Sequence, residues 1–132
     1  MTSNTTPSGV CSASSTYATP GYEAWRAFNG IIDAAENKCW IASSGQTTGW
    51  LQYQFVTVQA VQWYSITNRT IIDVGASPKD WTLEGSNDGL IWTILDTQTN
   101  QTWINGEKKE YTIVNPRAFL YYRLNISANN TS

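Results

Sequence analysis

Around residues 50–56 the apolar residues Leu51, Tyr53 and Phe55 alternate with Gln52 and Gln54. Successive side chains of an extended strand point to opposite faces, so this spacing describes a strand with one face in a core and the other in water. On a helix the same residues would scatter around the circumference and leave no apolar stripe. Similar short runs follow. Residues 61–67 are rich in strand formers, and the neighbours Trp63 and Tyr64 must face opposite sides. Residues 81–86 and 91–95 flank Asn87-Asp88-Gly89, where Asp-Gly supplies the positive φ of a tight hairpin turn. Residues 111–114 and 119–126 flank Asn115-Pro116-Arg117, and Pro116 has no N–H to give to a ladder. Near the start, a short strand over 10–14 precedes one helical turn over 22–29, with Ala24, Ala27 and Phe28 facing inward and Gly30 stopping it. Many short strands and at most one short helical turn predict an all-β, antiparallel β-sandwich. Residues 1–9, rich in Ser and Thr, read as a flexible N-terminal arm, and 10–132 as one domain.

Charge narrows the partners. With 8 basic and 10 acidic residues and no Lys/Arg run, nothing in the chain follows a phosphate backbone, so nucleic acid is not expected. Nor is there the cationic cluster that anionic lipid requires, or an apolar stretch long enough to insert into a bilayer. Catalysis lacks its usual groups. The sequence has no His, so no nucleophile–His pair can be built, and its carboxylates fall in no glycosidase-like motif; a non-enzyme is expected. Cys11 and Cys39 are too few for a disulfide framework and wrongly spaced for zinc. They leave two readings open: a single bridge that ties the N-terminal segment to the residue before Trp40, or two buried thiols.

Several blocks, taken in order, carry a resemblance. They are Ala13-Ser14-Ser15, then Glu23-Ala24-Trp25-Arg26-Ala27-Phe28-Asn29-Gly30, Trp40-Ile41-Ala42-Ser43 and Gly49-Trp50-Leu51-Gln52-Tyr53-Gln54-Phe55. The second half continues with Pro78-Lys79-Asp80-Trp81-Thr82-Leu83-Glu84-Gly85-Ser86-Asn87-Asp88-Gly89, Trp92-Thr93 and Tyr121-Tyr122-Arg123-Leu124-Asn125-Ile126. Across residues 10–126 this order resembles the discoidin family, which includes the coagulation factor V/VIII C-type domains and the family 32 carbohydrate-binding modules. The resemblance implies a galactose-binding-domain-like jelly roll, with Trp40, Trp50, Trp81 and Trp92 in or near the core. Two departures stand out. Asn29 replaces the family's usual Asp, and no closing strand with a Glu follows residue 126, which suggests a sandwich lacking its last strand and an open C-terminal sheet edge able to pair with another copy.

The same resemblance implies a structural calcium in the loop after Phe28, where Asn29, Asp33, Glu36 and Asn37 are the available oxygen donors. It also implies a sugar-binding Arg on the loop after the 61–67 strand, a place that Arg69 matches. Asn68 and Asp73 stand beside it, and Tyr22 and Glu23 come from an early loop that ends on the same side in similar modules. The aromatic content supports binding independently. Seven Trp and seven Tyr exceed what one core of this size comfortably buries, and each indole N–H needs a partner, so some must be at the surface. Trp103, in a polar loop with Asn105-Gly106, has no evident packing reason and is expected to be an exposed platform for a sugar ring. The function expected is a non-catalytic, lectin-like module that attaches a secreted, cell-surface or phage virion protein to a glycan. The alternative is a structural or protein-interaction unit such as a virion decoration domain.

Overall fold

A computed structural model describes residues 1–31, 39–69 and 74–131. Seven strands are present among them: β1 (Val10–Ala13), β2 (Gly49–Ala60), β3 (Trp63–Thr67), β4 (Pro78–Ser86), β5 (Thr93–Gln98), β6 (Lys108–Thr112) and β7 (Ala118–Asn129). Two 3-10 turns accompany them, Ala24–Phe28 and Val74–Ala76. All pairings are antiparallel, in one five-stranded sheet of order β1-β2-β7-β4-β5 and one two-stranded sheet of β3 and β6. The all-β sandwich expected from the alternation is therefore the fold observed.

Register aligns the apolar sets on one face. Leu51 opposes Leu124 and Tyr53 opposes Tyr122 across β2 and β7, while Leu83 opposes Leu124 across β4 and β7. Two aromatic groups fill the space above that face. Tyr64 and Tyr111 stack across β3 and β6 at 5.1 Å, and Trp81 from β4 meets the Tyr111 ring edge-on at 5.4 Å, so this cluster joins the two sheets. Phe28, Tyr53, Phe55, Tyr122 and Phe119 form a second chain of ring contacts toward the other end. Gly85 on β4 is required there, because any side chain at that position would run into the Phe119 ring. Trp63 and Tyr64 do face opposite sides: Trp63 is exposed, and Tyr64 turns inward to donate to Asp96 at 2.6 Å and accept from the Trp81 indole at 2.9 Å.

Several expectations are corrected. β7 lies at the centre of the large sheet, hydrogen-bonded to β2 on one side and β4 on the other, so this C-terminal strand offers no open edge for self-association; among the described residues the edges of that sheet are β1 and β5. Residues 1–9 are tied down rather than loose. Asn4 accepts Cys11 N–H through its carbonyl and Trp25 N–H through its side chain, and Ser8 accepts the Tyr53 hydroxyl. Cys11 and Cys39 are both free thiols, and burial pushes the Cys11 thiol up to about 11. The Asp-Gly connection is longer than a two-residue turn. Gly89 does take a positive φ of 73°, but the Asp88 carboxylate also accepts the N–H groups of Leu90 and Ile91, which delays β5 to Thr93. In the first 3-10 turn Ala24 is buried and Phe28 packs on Tyr53, whereas Ala27 is exposed.

Candidate functional site

At one end of the sandwich, the loops before β2 and after β3 surround the mouth of a recess. It has a volume of about 1230 Å³ and runs between the two sheets. Tyr17, Tyr22, Ile41 and Arg69 stand at this end, with Asn68 and Trp103 deeper. Backbone hydrogen bonds hold the early loop to the later one: Tyr17 N–H donates to Ile41 and Ile41 N–H to Tyr22. The Tyr17 and Tyr22 rings then meet edge-on at 5.7 Å. Tyr17 is 40% exposed, which leaves aromatic surface at the mouth.

Arg69 follows the end of β3, and its carbonyl accepts Gly106 N–H, so the backbone beneath its side chain is anchored. Its guanidinium stands within hydrogen-bonding reach of the Cys39 thiol. Burial raises that thiol above its ordinary value, and the Arg69 charge and hydrogen bond oppose the rise. Cys39 is therefore a neutral neighbour at neutral pH rather than a thiolate nucleophile.

Asn68 faces the other way. It is buried, its amide donates to the Ile104 carbonyl at 3.1 Å, and its oxygen accepts the Ser77 hydroxyl at 2.6 Å. Both ends of the side chain are spent on joining the β3 terminus to the loop before β6 and to the residue before β4. Trp103 is corrected from platform to core. Only 7% exposed, it stacks on Trp81 at 6.3 Å, donates its indole N–H to the Pro78 carbonyl at 2.7 Å, and carries the Lys109 ammonium 4.8 Å over its ring. The polar loop around it folds back over β4, a long-range contact that no local pattern announces. Glu23 is a loop fastener: one carboxylate oxygen accepts Gly21 N–H and the other accepts Arg26 Nε at 3.2 Å. Backbone hydrogen bonds, with lesser help from Arg26, hold its carboxyl below the usual range. Asp73 lies outside the described residues.

Of the four oxygen donors expected to hold calcium, only Asn29 lies among the described residues. Asn29 Oδ1 accepts Ile31 N–H at 2.8 Å, and the buried atom of Asn29 left without a partner is its Nδ2, a donor that would repel a cation. The nearby Phe28 carbonyl accepts the N-terminal ammonium at 3.1 Å. Asp33, Glu36 and Asn37 lie outside the described residues, and among those described no three His, Cys, Asp or Glu side chains gather to hold a metal.

Residues 26–124 match the F5/F8 type C family described as the NedA-like, galactose-binding domain. The chain belongs to this family. The domain is also 36% identical, over 113 residues, to the peptide-N(4)-(N-acetyl-beta-glucosaminyl)asparagine amidase of Arabidopsis thaliana. The match takes in 81% of this chain but only 15% of that much longer protein. Among solved structures, the family 32 carbohydrate-binding module of Streptococcus pneumoniae EndoD is similar with a TM-score of 0.73 at 17% identity, covering 98% of this chain and 90% of its own. The CpGH89CBM32-5 module of Clostridium perfringens, solved in complex with GalNAc-beta-1,3-galactose, also has a TM-score of 0.73, at 15% identity, covering 92% of this chain and 85% of its own. At these identities the likeness establishes the carbohydrate-binding-module fold.

Proposed function

We propose that this domain is a non-catalytic glycan-binding module whose sugar site lies at the mouth formed by Tyr17, Tyr22 and Arg69. The observation that carries the reading is the convergence of an aromatic pair, Tyr17 exposed and Tyr22 half-buried, and an anchored Arg at one recess between the sheets. A sugar ring presents C–H faces to aromatic rings and hydroxyls to planar donors, and such sites combine a mostly apolar wall with a few placed polar groups. Arg69 supplies the donors, and Tyr17 and Tyr22 supply the wall. The fold supports this reading, since one similar module was solved with GalNAc-beta-1,3-galactose. In a longer protein the domain would hold its neighbour against glycan, at a cell surface, outside the cell or on a virion. Calcium would enter only as a structural ion at Asn29, raising the melting temperature in a comparison with chelator.

An immobilised glycan panel tests the proposal with wild type, Arg69→Ala and Tyr22→Ala. The expected result is binding to at least one neutral glycan that falls tenfold or more in Arg69→Ala, about 1.4 kcal/mol, in line with a charge-assisted hydrogen bond. Binding to no glycan, or binding that neither substitution alters, would overturn the site.

A further inference from the structure

A second, smaller recess of about 380 Å³ shares Ser43, Gln46, Thr48, Gly49 and Ile126 with the first, but is walled by Ser14, Ser15, Trp50 and Asn125, which do not line the first. Its wall includes Trp50 at the start of β2 and Asn125 on β7, which are direct partners across the sheet. Gln46 and Thr48 rise from the loop, and Ser14 lies on the opposite side. Gly49 lets these parts approach. The Ser14 hydroxyl accepts Trp50 N–H at 2.9 Å, and a Cβ on residue 49 would sit only 2.8 Å from that oxygen.

Trp50 is held from outside the recess. Arg123, next to Asn125 but one on β7, lies 4.1 Å from the centre of the Trp50 ring and 4.2 Å from that of Trp92. The Gln52 side-chain oxygen accepts both Arg123 Nε, at 3.1 Å, and an Arg123 terminal nitrogen, at 2.8 Å. An indole clamped this way has a fixed ring plane and loses little entropy on contact with a ligand. The polar groups, by contrast, are uncommitted. Among the described residues the Trp50 indole N–H and the side chains of Gln46, Thr48 and Asn125 have no hydrogen-bond partner. No charged residue lines the recess.

We infer that this recess is a second ligand site, distinct from the loop-end mouth, and that it takes one ring of a neutral sugar. Its chemistry excludes phosphate or carboxylate ligands, which would want a cation, while an oriented indole with neutral donors and acceptors suits a polyol. At about 380 Å³ it lies at the small end of ligand pockets, ~300–1,000 Å³. The inference does not require the loop-end site to bind sugar.

The test follows the Trp50 side-chain N–H signal in a 15N–1H NMR spectrum, assigned by its loss in Trp50→Phe, while methyl β-galactoside or methyl N-acetyl-β-glucosaminide is added. The signal should move with one of the two hexosides, and move equally in Arg69→Ala. A doubly substituted protein, Gln46→Ala with Asn125→Ala, should need about fivefold more hexoside for the same shift, as expected when hydrogen bonds to the ligand are removed. Because neither side chain has a hydrogen-bond partner among the described residues, that variant keeps its fold and the wild-type spread of signals. A Trp50 signal that moves with neither hexoside overturns the inference, as does a response unaltered by the double substitution. Loss of the response in Arg69→Ala also overturns it, by tracing the shift to the loop-end mouth. Should Arg69→Ala leave the glycan panel unchanged while the Trp50 signal still responds, the loop-end reading alone fails.

Discussion

Two pairs of tryptophans pack against cations on opposite faces of the large sheet, and they differ in what becomes of their N–H groups. Inside, Trp81 and Trp103 stack at 6.3 Å with Lys109 over the second ring, and both indoles donate, to Tyr64 and to the Pro78 carbonyl. Outside, Trp50 and Trp92 sandwich Arg123, and among the described residues neither indole N–H has a partner. A buried indole must satisfy its donor or forfeit much of what its burial contributes, whereas a half-buried one can leave its donor to water or ligand. The comparison assigns stability to the inner pair and an available surface to the outer one, although both use the same residue types.

The strongest way to break that contrast is Trp103→Ala. It removes an indole that is 7% exposed and leaves the Pro78 carbonyl only the longer bond from Asn130 Nδ2 at 3.4 Å, so a loss of about 3–5 kcal/mol is expected in denaturant unfolding. A loss below about 1 kcal/mol would return Trp103 to the surface role expected from its polar loop.

Tyr64→Phe probes the same core more gently. It leaves the Trp81 N–H and the Asp96 carboxylate each without its Tyr64 partner, at an expected cost of about 1–3 kcal/mol. pH supplies a second readout. Burial first, and then the hydrogen bond to Asp96, raises the Tyr64 hydroxyl well above its ordinary value. The folded state therefore keeps the proton where the unfolded chain releases it. The Tyr64 contribution is fully present below about pH 10, the ordinary tyrosine value, and declines as pH rises above it. Wild type should lose stability more steeply than Tyr64→Phe in that alkaline range, and equal slopes would remove Tyr64 from the account.

The smallest effect belongs outside. Arg123→Gln deletes two ring contacts of a kind worth about 0.5–1 kcal/mol each when partly exposed, together with two hydrogen bonds to a Gln52 oxygen that water can replace, so unfolding should shift by about 1–2 kcal/mol. A loss as large as that of Trp103→Ala would make the Trp50–Arg123–Trp92 stack a structural keystone and leave no reason to read it as a clamp for a ligand site.

How far the sequence could be read differs between these regions for a physical reason. The alternation of Leu51, Tyr53 and Phe55 was legible because strand period is local, and Gly89 because its backbone conformation is local too. Arg69 could be brought to the loop end by resemblance, and it does share a recess with Tyr22. Tyr17 lines the same recess and lies in the same early loop as Tyr22, but no pattern in the sequence beyond that proximity singles it out. Asn68 and Trp103 were misjudged because both sit among polar residues, and their burial depends on Ser77, Pro78 and Ile104 arriving from elsewhere in the chain.

Local patterns in the chain were enough to specify a β-sandwich without the groups for nucleophile–His catalysis, and its ordered motifs pointed to the right family. Which aromatics are core and which are surface, that β7 is central rather than an edge, and which polar side chains lack a partner among the described residues follow from how distant segments pack. Strand period and turn conformation are written within a few residues. Burial, sheet order and hydrogen-bond satisfaction are sums over partners distant in sequence, and for Trp103 those partners reversed what its neighbours in the chain implied.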